Sequence, residues 1–157
     1  MINKASKLKY AKNYAISLLA KREYATKELK EKLRKYHLDN QEIDSLLIEL
    51  AEKGFQSDYR FAESFVRFNI SQNRGRYRIL GELKQKGIGS DLFEEVIDKI
   101  KPNWNVLCLN RVGKYINSNE TLNDFKLVEK LKRYLVYHGF SFDEINEAIK
   151  QMKDKEV

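Results

Sequence analysis

The chain has 157 residues, 42% hydrophobic and 34% charged, with a formal net charge of +7. That length holds one ordinary domain or a short repeat array, and helically spaced apolar residues among charges of both signs exclude a disordered polyelectrolyte. One cysteine, Cys108, excludes an intramolecular disulfide; no apolar run approaches the roughly 18 residues of a membrane span, and the basic stretch Met1 to Tyr10 has no apolar signal core, so a cytoplasmic protein is expected.

Taken in chain order, Tyr14, Ala15, Leu18 and Leu19 form the stripe of a first helix. A second helix carries Leu29 and Leu33 and ends at the turn His37-Leu38-Asp39. A third carries Ile43, Leu46, Leu47 and Leu50, with Asp39 and Glu42 at capping-box spacing, and stops at Gly54. Ser57-Asp58 are suited to cap the next helix, whose stripe is Phe61, Ala62, Phe65 and Val66. Then come Ile79 and Leu83, the turn Gly87-Ile88-Gly89, and Phe93, Val96, Ile97 and Ile100. Pro102 forces a stop before a helix through Trp104, Leu107, Cys108, Val112 and Tyr115. The Asn- and Ser-rich stretch Asn117 to Asn123 reads as a loop. The last two helices carry Leu131 and Leu135, then Ile145, Ala148, Ile149 and Met152, joined by Gly139-Phe140-Ser141, where Ser141 and Glu144 again have capping-box spacing.

One pattern therefore occurs three times, at spacings of 50 and 52 residues. Such periods mark stacked supersecondary units, none able to bury its own apolar face. The expected fold is all-α, an elongated curved array of three tandem three-helix repeats at residues 1–53, 54–101 and 102–157. Surfaces of that kind suit large partners better than small substrates.

Charge is sorted by helix. Each second helix is basic: Lys27, Lys30, Lys32, Arg34 and Lys35; Arg76, Arg78, Lys84 and Lys86; Lys126, Lys130, Lys132 and Arg133. Each third helix is acidic at its start, which also complements the helix dipole. Stacking is expected to place the basic helices in one row. Arg74-Gly75-Arg76-Tyr77-Arg78 is the densest cationic cluster, with Tyr77 able to stack. Candidate partner- or DNA-binding residues are thus Lys27, Lys30, Arg34, Arg74, Arg76, Arg78, Lys130 and Arg133. A helix–turn–helix reading would send the acidic third helix into the major groove, against the phosphate charge. There is no HExxH, CxxC or phosphate-cradling glycine loop, so no catalytic residue, metal or cofactor is expected. His37 and His138 each end a second helix and read as caps, favourable when protonated; Cys108 reads as core. Tyr14, Phe61, Phe65, Phe93 and Phe140 read as core aromatics, whereas Tyr24, Tyr36 and Tyr137 are available for an interface. A general nucleic-acid-binding module and a scaffold for another acidic partner remain as alternative readings.

Three stretches resemble the RecX family of bacterial recombination regulators. They are Tyr14-Ala15 through Leu18-Leu19-Ala20-Lys21-Arg22-Glu23 with Glu28-Leu29 and Lys32-Leu33; Gly54-Phe55-Gln56-Ser57-Asp58-Tyr59-Arg60-Phe61-Ala62 with Arg74-Gly75, Ile79 and Glu82 to Ile88; and Leu131 to Leu135 with His138-Gly139-Phe140 and Ile145. Two positions depart from the family pattern: Ala25 stands where a capping Ser is usual, and Gln56-Ser57-Asp58 replaces a Gly-Asp-Asp type turn. Ala25 is expected to cost the second helix roughly 1 kcal/mol unless it starts at Thr26. The resemblance implies a non-enzymatic regulator that binds the RecA filament on single-stranded DNA and dampens its ATPase, strand exchange and SOS co-protease activities; a monomer is expected.

Overall fold

A computed structural model of the chain describes residues 3–117 and 119–156. Met1 and Ile2 of the basic N-terminal stretch, Ser118 of the Asn- and Ser-rich loop and Val157 lie outside the described residues. Among those described there are nine α-helices, one short 3₁₀ turn and no strand.

Helix starts follow local capping chemistry. Helix α1 spans Lys4–Leu19, with the Asn3 side chain accepting from Ser6 N–H at 2.8 Å. Helix α2 is Thr26–Leu33 and runs into the 3₁₀ turn Arg34–Tyr36. Helix α3 is Asn40–Glu52; Asp39 accepts from Glu42 N–H at 2.8 Å. Helices α4 (Asp58–Ser71), α5 (Arg76–Gln85) and α6 (Ser90–Ile100) follow. Helix α7 is Trp104–Tyr115, α8 Phe125–Tyr137 and α9 Phe142–Lys155. Ser141 and Glu144 close a reciprocal box, Glu144 N–H to Ser141 Oγ at 3.2 Å and Ser141 N–H to the Glu144 carboxylate at 2.8 Å. These bonds satisfy amide groups that have no partner inside the helix.

His37, Gly87 and Gly139 hold the corresponding place after each second helix, and all three are left-handed, with φ of 56°, 82° and 97°. Glycine takes that conformation without strain, whereas a histidine does so at a cost.

The chain sorts into two compact units, one formed by residues 1–65 with 83–96 and the other by 66–82 with 97–157. In the first, Ala11, Ala15 and Leu18 of α1, Leu29 and Leu33 of α2, and Ile43, Leu46, Leu47 and Leu50 of α3 make one core. In the second, Leu107, Cys108 and Val112 of α7 pack with Val128, Leu131 and Leu135 of α8 and with Phe140, Ile145, Ala148 and Ile149. Each fully buried Leu or Ile contributes about 1.5–3 kcal/mol of transfer free energy, offset by chain ordering. Repeated positions have repeated burial: Leu29, Ile79 and Leu131 are all buried, as are Leu33, Leu83 and Leu135, and Ile43, Phe93 and Ile145.

Some side chains depart from the expectation. Tyr24 is buried rather than available, with the Arg22 guanidinium 3.6 Å above its ring. Tyr14 and Phe65 are half-buried, because each lies at the edge of its apolar stripe. Leu122, in the loop before α8, is buried and anchors that loop in the second core. None of the described helices is long and apolar enough to cross a membrane.

Candidate partner interface

The stretch Gly54–Ala62 ties the start of α4 to the chain just before and at the start of α2. Gln56 is a buried polar residue; its Nε2 donates to the Tyr24 carbonyl at 3.2 Å and to Asp58 Oδ1 at 2.9 Å. Asp58 Oδ1 also accepts from the Thr26 amide at 2.9 Å and its hydroxyl at 3.1 Å. Ala25 has no side chain able to cap α2, and a carboxylate 32 residues away supplies the missing acceptor. α4 is capped instead by Ser57, whose Oγ accepts from Arg60 N–H at 3.1 Å. Arg60 donates to Glu23 at 3.0 Å and to the Gly54 carbonyl at 2.8 Å. Residues of this motif thus act on neighbouring chain, and those roles leave them little to offer a partner.

The start of α2 meets the turn after α5. Lys27 Nζ donates to the Gln85 carbonyl at 2.8 Å, and Glu28 pairs with Lys86 at 3.3 Å. Burial of Glu28 raises its carboxyl pKa, but the Ala25 N–H, Arg22 and Lys86 outweigh that and leave it below its ordinary value. In the second unit the start of α5 meets the turn after α8 in the corresponding way. Gly75 N–H donates to the His138 carbonyl at 2.7 Å and Tyr77 N–H to the Gly139 carbonyl at 3.0 Å. Arg78 stands where Glu28 does and His138 where Lys86 does, and Arg78 Nη1 lies 3.1 Å from His138 Nδ1. The ion pair of the first joint is replaced by a guanidinium on an imidazole. Gly75 and Gly139 permit it: a Cβ on Gly139 would sit 2.5 Å from Arg78 N and 2.6 Å from its Cβ.

His138 is not the protonated cap that its place at the helix end suggested. Burial, reinforced by Arg111, Arg78 and Arg74, pushes its pKa down to about 4, so the ring is neutral and its Nδ1 accepts from Arg78. The ring packs against Tyr134 at 4.4 Å, tilted by 59°, and meets Tyr137 edge-on at 5.2 Å. Cys108 is buried, which pushes its thiol up to about 12 and keeps it unreactive.

The eight candidate cations have different surroundings. Lys27 is exposed but tethered to Gln85. Lys30 is half-buried and paired with Asp44 of the acidic α3 at 3.0 Å. Arg74 donates to Asn69 Oδ1 at 2.7 Å, and Arg78 pairs with Glu82 at 3.2 Å as well as meeting His138. Arg76 is half-buried and engaged within the protein. Arg34, Lys130 and Arg133 are exposed and have no acidic partner among the described residues. The structure brings Lys27, Lys30 and Arg34 together on α2 and its 3₁₀ extension, and Arg74 and Arg78 together around His138. One contributor escaped the sequence reading: Arg111 of α7 donates to the carbonyls of Gln72 and Asn73 and to Tyr134 Oη. Its signal in the sequence is a cation flanking the apolar stripe of α7, which also carries Lys114. No cluster of three or more His, Cys, Asp or Glu suited to a metal ion occurs among the described residues.

Family models described as the first, second and third three-helix domains of RecX match residues 11–50, 57–97 and 110–149. The regulatory protein RecX of Legionella pneumophila (strain Corby) is 34% identical over 139 residues, covering 88% of this chain and 92% of that protein. The regulatory protein RecX of Pasteurella multocida (strain Pm70) is 38% identical over 131 residues, covering 83% and 80%. The crystal structure of RecX from Lactobacillus salivarius superposes with a TM-score of 0.79 at 24% identity, over 94% of this chain and 97% of that one, which supports the three-domain helical fold.

Proposed function

The chain belongs to the RecX family of regulatory proteins rather than to an enzyme family, and we propose that it acts by docking exposed cations of its second helices onto the RecA filament assembled on single-stranded DNA. The observation that carries this reading is the set Arg34, Lys130 and Arg133, exposed cations left without an acidic partner among the described residues. An uncompensated surface cation is well placed to steer and orient a polyanionic or acidic partner. Lys27 is a further exposed candidate, while Lys30, Arg74, Arg76 and Arg78 are candidates already engaged within the protein.

In this reading the basic helices of successive repeats present their charge to one partner and bridge neighbouring filament subunits. Bridging restrains the subunit movements of ATP turnover, so ATPase, strand exchange and co-protease activity fall together. The protein works in the cytoplasm, as a monomer and without a cofactor.

The test is the single-stranded-DNA-dependent ATPase of the cognate RecA at low salt, with this protein added substoichiometrically. Inhibition is expected, and the triple variant Arg34→Glu/Lys130→Glu/Arg133→Glu loses it while circular dichroism remains native. Full ATPase activity in the presence of the wild-type protein refutes the reading. Inhibition by the triple variant equal to wild type removes these cations from the interface.

A further inference from the structure

The second compact unit exposes aromatic surface that neither its core nor the proposed cation contacts use. Tyr77 is 60% exposed and Tyr137 71% exposed, yet both line one groove of about 350 Å³ with Arg78, Glu82, Val136 and Gly139. Burying a tyrosine ring is among the more favourable single contributions open to a side chain, so two exposed rings on one groove mark a surface built for a partner. The Tyr137 ring is also held in place. The Arg78 guanidinium lies 5.2 Å from its centroid, and the His138 ring meets it edge-on at 89°. Ordering that ring on binding costs little more.

The charge distribution narrows the ligand. Inside the groove Arg78 is compensated by Glu82, 3.2 Å away, and the adjoining His138 is neutral. Beside it, Arg74 and Arg111 are close enough to His138 to add to its depressed pKa. A nearly neutral aromatic floor next to converging guanidiniums suits a planar uncharged group joined to an anion. It suits a carboxylate side chain poorly, because Glu82 would repel it within the groove. Arg78 is held by Glu82 and His138, whereas Arg74 spends only Nη1, on Asn69, so its other guanidinium donors remain for a phosphate beside the groove.

We propose that the Tyr77–Tyr137 groove binds single-stranded nucleic acid directly, stacking an unpaired base on the tyrosine rings while the neighbouring arginines take the adjoining phosphates. Base–aromatic stacking beside a cationic track is the general means of holding single strands without sequence preference. This contact needs no recombinase, so it stands or falls separately from the filament reading.

The experiment is fluorescence anisotropy on the full chain alone, with labelled 20-nucleotide oligothymidylate and an abasic phosphodiester of equal length. The abasic strand keeps every phosphate and removes every base. Stacking is expected to favour the thymidylate by about 5- to 150-fold, the range that one stacked base supplies. Tyr77→Ala/Tyr137→Ala is expected to erase that preference and leave abasic-strand affinity unchanged, while Tyr77→Phe/Tyr137→Phe retains it. Equal wild-type affinity for the two strands overturns the proposal, as does a preference that survives the double alanine variant. An unlabelled 20-residue polyglutamate displacing thymidylate at equal concentration also overturns it, in favour of an acidic protein partner. Inhibition of recombinase ATPase by the double alanine variant is then read independently: its persistence leaves the filament reading intact whichever way the stacking test falls.

Discussion

Replacing Gly75 by alanine tests whether the joint between α5 and the α8–α9 turn depends on direct backbone contact. Gly75 has an ordinary φ, so a methyl group there introduces no conformational strain. It would, however, fall on the carbonyl carbon and oxygen of Gly139 and lie 2.7 Å from Phe140 N. These are backbone atoms and cannot swing aside as a side-chain end would. Relief requires the two segments to separate, which breaks the bonds from Gly75 N–H to the His138 carbonyl and from Tyr77 N–H to the Gly139 carbonyl. Leaving two amides without partners costs about 2–6 kcal/mol, the lower end applying where water reaches them. Gly139→Ala adds strain of about 1–2 kcal/mol, because φ there is +97°. Gly54→Ala is the control: φ is +79° but nothing lies within 4 Å of the added carbon, so about 1–2 kcal/mol is expected. Urea unfolding is followed by the fluorescence of Trp104, which packs against the core of the second unit, for the Gly75 and Gly139 variants, and by circular dichroism for Gly54→Ala in the first unit. The expected order of destabilisation is Gly139→Ala, then Gly75→Ala, then Gly54→Ala. A Gly75→Ala protein within 0.5 kcal/mol of wild type would refute the reasoning, since alanine in a helix start otherwise costs about that little.

Two further outcomes follow from the same geometry. Asp58→Ala removes an acceptor from the Thr26 amide, the Thr26 hydroxyl and Gln56, and should destabilise the first unit by about 1.5–3 kcal/mol with faster amide exchange at Thr26; Asp58→Asn, which keeps an acceptor oxygen, should recover part of the loss. His138 makes stability pH-dependent: its folded pKa of about 4 lies below the ordinary 6.5, so the unfolded chain takes up the proton first and the folded state loses stability as pH falls from 6.5 towards 4. Allowing for its partial exposure, the loss is about 1–2 kcal/mol, measured as the difference in urea midpoint between wild type and His138→Gln across that range.

Much of the fold is legible in the chain because burial is written into spacing. Leu29, Ile79 and Leu131 recur at matching places, and all three are buried. The caps at Asp39 and Ser141 are equally plain, since donor and acceptor lie three residues apart. Interactions between residues distant in sequence are not legible in this way. Asp58 reads as the cap of its own helix and instead caps α2; Tyr24 reads as available and is buried; Arg111 gives no local sign of reaching Gln72 and Asn73. The candidate cations show the same division. Their sign and helix are evident from the residues, but whether each is free, like Arg34, or engaged, like Lys30 with Asp44, depends on which helix packs beside it.

The amino-acid sequence by itself determined an all-helical fold of three repeats and a basic second helix in each, because periodicity and capping act within a turn or two of helix. Only the tertiary structure decided that Gly75 meets Gly139, that His138 is kept neutral among three arginines and that Tyr77 and Tyr137 share a groove. Those facts arise where segments about 60 residues apart in the chain come within a few ångströms, and neither helix spacing nor helix propensity reaches that far.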